Sequence, residues 1–234
     1  MSTKALDLYA KVEDLLGVDE VAPKLYKEYF EILKEVEFDT LLDIGCGKGK
    51  FLALLDSVGI TSYTLGIDRS SLMVQKAKER GVNAKVLELK DIDRKFDIAT
   101  ATFDMINYLP FEEFDRFFED LAKVIHPQGY FLFDINSLYG LSELAVGNFV
   151  TQDENRFLSI ESFFEEGLYE SFFTLFEKKE NNCHTKDQAQ INQYYYPLEK
   201  FKTIKNWQFI KSKDIALYEE EVDKHIVLLQ NTLF

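Results

Sequence analysis

The segment Leu41-Leu42-Asp43-Ile44-Gly45-Cys46-Gly47-Lys48-Gly49-Lys50 constrains this chain more than any other. An apolar run ends in alternate glycines and passes into a helical pattern, which predicts a buried strand, a tight turn and a helix. Glycine permits positive φ angles and lets the backbone approach a ligand with no Cβ in the way. The helix that follows presents unpaired N–H groups at its start. A dinucleotide-binding turn wants G-x-G-x-x-G, with its last glycine at position 50, where this chain has Lys50.

The rest of the chain repeats the strand and helix rhythm. Helical spacing of Leu6, Tyr9, Val12, Leu15 and Leu16, then Leu25, Tyr29, Ile32 and Leu33, predicts two helices with a break at Pro23. Strands are expected at 40–44, 62–67, 84–89, 96–102 and 130–135, the last entered through the turn His126-Pro127-Gln128-Gly129. Helices are expected at 50–58, at 70–80 with Ser70 as cap, and at 111–125. Such alternation implies an α/β fold, a Rossmann-like doubly wound, mostly parallel sheet with right-handed crossovers and N-terminal helices.

After Asn136 the rhythm changes. Segments 156–164, 169–177 and 188–196 are rich in Phe and Tyr and are separated by turn residues, so they predict an antiparallel β insertion. Segments 207–218 and 225–233 return as closing strands. The expected organisation is a core of 1–137 and 204–234, with 1–38 as a helical lid and 138–203 as an insertion roofing an acceptor site. A competing use of its rings is to pair two copies as a homodimer.

Charge narrows the partners. With 27 basic and 41 acidic side chains, the chain carries −14 at pH 7 and repels phosphate backbones, so nucleic acid is an unlikely partner. No stretch approaches the roughly 18 apolar residues of a membrane span, and the first residues lack a signal-peptide core, so a cytoplasmic location is expected. Cys46 and Cys183 form neither a disulfide framework nor metal-ligand spacing, and His126, His184 and His225 are scattered, so no metal is expected.

The second expected strand ends at Gly66-Ile67-Asp68, where an acid about twenty positions past the loop can accept both ribose hydroxyls. Asp43 before the G-x-G-x-G loop, followed by Asp68, Ser70 and Met73 in a D-x-S-x-x-M pattern, resembles the Rossmann-like S-adenosylmethionine methyltransferases. Phe96-Asp97 through Asp104, Asn107, Tyr108 and Leu109, with Phe133-Asp134-Ile135-Asn136-Ser137, resembles a bacterial group of small-molecule type within them. Met105 and Ser137 depart from that group's serine and threonine. The resemblance is specific over 41–137.

It implies S-adenosyl-L-methionine as cofactor and a small-molecule methyl acceptor. The cofactor would meet Asp43, Gly45, Cys46, Gly47 and Gly49 at its methionine end, and Asp68 and Arg69 at its ribose. Met73, Asp91 and Ile92 would meet the adenine, and Thr102 and Phe103 the reacting side. Asn107, Tyr108, Tyr194, Tyr195 and Tyr196 are the candidates to line the acceptor, and Asp104 and Tyr108 the candidates to take a proton from it. Tyr9, Tyr26 and Tyr29 sit in helices of the expected lid. Rival readings are a nicotinamide-dependent oxidoreductase, which the glycine spacing disfavours, and a non-catalytic nucleoside-binding protein.

Overall fold

The computed structural model describes residues 3–180 and 183–233. Residues 1 and 2 of the expected lid, 181 and 182 of the expected insertion and 234 of the core lie outside it. The chain begins with α1 (Thr3–Val12) and α2 (Val18–Leu33), followed by β1 (Thr40–Ile44), α3 (Lys50–Val58), β2 (Tyr63–Asp68), α4 (Ser71–Glu79) and β3 (Ala84–Val86). Next come β4 (Phe96–Ala101), α5 (Phe111–Val124) and β5 (Ile125–Asn136). A run of strands follows, β6 (Gly147–Gln152), β7 (Arg156–Glu165), β8 (Leu168–Lys178) and β9 (His184–Tyr194), then β10 (Trp207–Ile215) and β11 (Lys224–Asn231).

The main sheet has seven strands in the order β10-β11-β5-β4-β1-β2-β3, with β11 antiparallel to both β5 and β10 and the other pairs parallel. Its order reverses between β1 and β4, the switch point at which open α/β sheets take their ligands. One face is covered by α5, whose Phe114, Phe118, Leu121 and Ala122 are buried at helical spacing against Phe131, Phe133 and Trp207. The other is covered by α2, α3 and α4, through Leu25, Tyr29, Phe51, Leu52, Val74 and Ala77.

The insertion is a separate four-stranded antiparallel sheet in the order β6-β7-β8-β9. Its inner face buries Leu158, Ile160, Phe173, Leu175 and Ile191 against Ala5, Leu8 and Val12 of α1. The expected lid therefore divides, with α1 packing on the insertion and α2 on the core. Phe157, Phe163 and Phe172 stay exposed, so only part of the aromatic content faces inward.

Several boundaries differ from the sequence reading. Pro23 lies inside α2, and the break falls at Gly17, whose φ of 71° ends one helical run and starts the next. The strand expected at 84–89 stops at Val86 and gives way to a 3₁₀ turn at Leu89–Asp91. His126 to Gly129 belong to β5, with Gln128 at φ 65° and the pairing with β4 shifting between Phe96 and Ile98. The edge strand β6 has no counterpart in the reading, because its residues are mostly exposed and give no alternation.

Gly49 shows how tightly the glycine turn is packed. A Cβ there would lie 3.0 Å from the Ala77 Cβ and 3.1 Å from the Val82 Cγ2, at a φ of +71° that side chains resist. Gly49→Ala is expected to cost about 2 kcal/mol of stability. For a chain of this size that is a fall in Tm of roughly 4–8 °C in thermal denaturation. An unchanged Tm would contradict the close seating of α3 on α4.

Candidate active site

At the carboxyl ends of β1, β2 and β4 lies a cavity of about 250 Å³. The turn after β1 forms its floor. Gly45 and Cys46 donate their N–H groups to the Ile67 carbonyl at 2.8 and 3.0 Å, and the Gly47 N–H donates to Asp68 Oδ2 at 2.9 Å. These bonds knot the ends of β1 and β2 together. A Cβ on Gly45 would meet Met105 Cγ at 2.7 Å, whereas one on Gly47 would meet nothing within 4 Å. Gly45 thus admits the loop after β4, and Gly47 leaves open the space a ligand needs.

Of the residues expected to hold the cofactor, Gly45, Cys46, Gly47, Asp68, Arg69, Met73, Thr102 and Phe103 line this cavity. Asp68 Oδ1 also accepts from the Ser70 N–H at 2.8 Å, and burial pushes the Asp68 carboxyl up. Gly49 does not reach the wall and instead serves helix packing. Asp91 and Ile92 are outside as well, and Leu87, Glu88 and Leu89 take their place, because β3 ends three residues earlier than expected.

Asp43 stands behind the wall. It is 1% exposed, and its Oδ1 accepts from the Thr100 hydroxyl at 2.8 Å. Among the described residues, its Oδ2 is the one buried side-chain polar atom without a hydrogen-bond partner. An orphaned carboxylate oxygen fits a site whose ligand brings donors of its own. Burial, with Asp68 adding repulsion against the Thr100 hydrogen bond, raises the Asp43 pKa to about 7.

The loop after β4 forms another part of the cavity wall. Phe103 and Asp104 both sit at positive φ, 55° and 54°, a conformation that costs roughly 1–2 kcal/mol for each residue other than glycine. It is held by partners from three other elements. The Asp104 N–H donates to Asp134 Oδ2 at 2.9 Å, and the Asp104 carboxylate accepts from Lys224 Nζ and from Gln193 Nε2. Gln193 also faces Tyr108, where its amide opposes the rise of the phenol's pKa. Burial first, then the Asp104 charge, pushes the Tyr108 phenol well up, so it keeps its proton at neutral pH. Proton acceptance by Tyr108 is thereby disfavoured, and Asp104 is the carboxylate beside it.

The other expected acceptor residues fare differently. Asn107 is fully buried as a brace, donating to the Tyr194 carbonyl at 2.8 Å and accepting from the Asn136 N–H at 2.9 Å. Tyr196 packs on Phe114 at 4.5 Å and donates to the Leu109 carbonyl at 2.7 Å, so it belongs to the core. Tyr195 lines neither cavity. Tyr194 borders a second cavity of about 220 Å³ with Tyr108, Pro110, Gln190 and Asn192. The strand parity of β9 turns Gln193 to Asp104, while its neighbours Asn192 and Tyr194 border the second cavity.

The lid supplies Tyr9 and Tyr26, as expected, and also Leu6 and Glu13, which the sequence reading gave no role at the site; all four line the cavity. Glu13, 8% exposed, takes Lys50 Nζ at 2.6 Å and Lys48 Nζ at 3.1 Å, and Lys50 also pairs with Asp19. Lys50, standing where a dinucleotide turn has glycine, is a strut between glycine loop and lid. Its neighbours gave no local signal, since an acid 37 positions earlier is found only by folding.

Strand order, a switch-point cavity and an acid closing β2 define a Rossmann-like protein built to hold a nucleoside cofactor. A methyltransferase domain family matches residues 41–129. The 2-phytyl-1,4-naphtoquinone methyltransferase of Nostoc punctiforme is 34% identical over 101 residues, covering 38% of this chain and 43% of that protein. Across three curated relatives the chain spans 31%, 43% and 50% of their own lengths. Among solved structures, an S-adenosylmethionine-dependent methyltransferase from Clostridium acetobutylicum superposes with a TM-score of 0.78 at 21% identity, covering 96% of this chain and 99% of that one. A SAM-bound amino pentose methyltransferase from Micromonospora echinaspora does so with a TM-score of 0.65 at 15% identity, covering 92% and 91%. Residues 41–129 thus match a methyltransferase domain, and the fold over nearly the whole chain is that of the Rossmann-like methyltransferase structures.

The raised pKa of Asp43 has a measurable sign. A carboxyl that titrates near 7 when folded and near 4 when unfolded binds its proton more tightly in the folded state. Its contribution to stability is therefore present at low pH and is lost as pH rises from about 4 to 7, by an amount on the order of 4 kcal/mol. Asp43→Asn should remove this dependence, so urea unfolding of the ligand-free proteins should favour the variant more at pH 8 than at pH 5. A pH-independent difference would contradict the buried, unsatisfied carboxylate.

Proposed function

We propose that this chain methylates a small-molecule acceptor that enters between the loop after β4, the lid helix α1 and the inner face of β9. The observation that carries the reading is the continuity of one cavity from Gly47 and Asp68 to Tyr9, Met105 and Tyr108. One end has the groups a nucleoside needs, and the other is bordered by residues of the loop and lid. S-adenosylmethionine supplies there a methyl group on a sulfonium, whose transfer to a lone pair leaves a neutral thioether.

The chain's own residues then have simple tasks. Asp68 accepts from the ribose hydroxyls, Glu88 and Leu89 border the adenine, and the glycine loop receives the methionine end. Met105, Phe103 and the lid exclude water, and Tyr9 and Tyr108 frame the line of attack. The acceptor heteroatom gives its electron pair to the methyl carbon, and any proton it carries passes to water. An acidic chain with an enclosed site suits a small metabolite better than a nucleic acid.

The test is transfer of tritiated methyl from S-adenosylmethionine into a metabolite extract. Label is expected in the acid-soluble small-molecule fraction, and label confined to macromolecules would overturn the reading. With the purified acceptor in hand, Gln193→Leu should lower kcat by roughly tenfold or more while S-adenosylhomocysteine still binds, because it unties Asp104, beside Tyr108, and leaves the nucleoside end intact. In calorimetry, Asp68→Ala should weaken S-adenosylhomocysteine by about 2–4 kcal/mol through loss of a charge-assisted bidentate contact. Unchanged affinity would remove Asp68 from the ribose.

A further inference from the structure

Lys224 opens β11, 120 positions after Asp104, and its side chain is 2% exposed. Its ammonium meets Asp104 Oδ1, Asp134 Oδ2 at 3.1 Å and Asn136 Oδ1 at 2.8 Å, one acceptor for each of its three protons. Asp134 is fully buried and already engaged by the Tyr29 hydroxyl at 2.7 Å and by the Asp104 N–H. A lysine enclosed so far from water normally costs stability. Burial alone would lower its pKa, and the Asp104 and Asp134 charges outweigh that and hold it raised.

The cluster sits under the one stretch of the cavity wall whose backbone is strained at two successive residues. Phe103 and Asp104 hold positive φ without being glycine, and Thr102, Phe103, Met105 and Tyr108 line the cavity. Without the ammonium, the Asp104 and Asp134 carboxylates would face each other unscreened, and the side-chain tether of the strained turn would become a repulsion. The loop would then be tied to β5 by the Asp104 N–H bond to Asp134 and by the Asn136 N–H bond to Asn107.

We propose that Lys224 is a positioning residue, a buried clamp that keeps the 102–108 loop in the conformation used for methyl transfer. This rests on the cavity being the methyl-transfer site, and it assigns to the last strand a role in the reaction that no contact with the cavity reveals. Lys224 touches neither cavity and acts through Asp104.

Amide hydrogen exchange on the full chain, with and without S-adenosylhomocysteine, tests it. In Lys224→Met, exchange at the Asp104 amide and its loop neighbours should rise by at least about tenfold while β1 and β2 keep their protection. S-adenosylhomocysteine affinity should fall severalfold as Phe103 and Met105 leave the wall, and Lys224→Arg should restore both loop protection and affinity. Lys224→Gln, which keeps hydrogen bonds without the charge, serves if the methionine variant fails to fold, and the same loop-confined loss is expected. Wild-type loop protection in these variants would overturn the proposal, as would equal loss of protection throughout the sheet, which marks a merely structural lysine. If S-adenosylhomocysteine binds no form of the protein, the cofactor reading fails, and exchange in the ligand-free chain still decides the role of Lys224.

Discussion

The bond from the Gly47 N–H to the Asp68 carboxylate, at 2.9 Å, joins the ends of β1 and β2 beside the point, between β1 and β4, where the sheet reverses its order. Everything at the site is placed relative to it. It fixes the glycine turn against the acid that closes β2, and it leaves Asp68 facing the cavity with lone pairs to spare. The turn in turn sets the start of α3, whose Phe51 and Leu52 anchor the face of the sheet under the lid. With Gly45 lacking a Cβ, the loop after β4 can close to the turn, so both halves of the cavity wall depend on this one corner.

A second level of organisation ties the insertion to the cofactor side. Helix α1 buries its apolar residues on the inner face of the insertion sheet and reaches the core through Asp7 with Ser70, and the turn that follows it does so through Glu13 with Lys48 and Lys50. Arg156 of β7 holds Asp14 at 2.7 Å, and Lys11 holds Glu177 and Asp187 of β8 and β9. Exposed pairs of this kind add little stability singly. Their arrangement nevertheless makes the helix over the cavity part of the same packed unit as the strand that carries Gln193, so acceptor and cofactor surroundings are not independent.

Much of this was legible in the chain itself. The alternation of apolar runs with helical spacing, punctuated by Gly45 to Gly49, Gly59 and Gly81, marks local events and was read at nearly the right positions. What was not legible depended on the third dimension. Whether Glu88 or Asp91 faces the cavity turns on β3 ending at Val86, a matter of sheet pairing with β2. Whether Tyr194 or Gln193 points inward is a question of pleat parity, which a one-residue slip reverses. The contacts of Lys224 with Asp104 and Asp134 span 120 and 90 positions, with no periodic pattern to announce them.

The identity of the molecule held at the β1 and β2 corner separates the methyltransferase from the nicotinamide-dependent oxidoreductase. Titration calorimetry of the wild-type chain with S-adenosylhomocysteine and, separately, with NAD addresses it most directly. Three glycines in alternation, with Lys50 as a strut to the lid in place of a further glycine, favour the first ligand. The predicted result is saturable one-to-one binding of S-adenosylhomocysteine in the micromolar range and no heat with NAD. Binding of NAD with none of S-adenosylhomocysteine would contradict it.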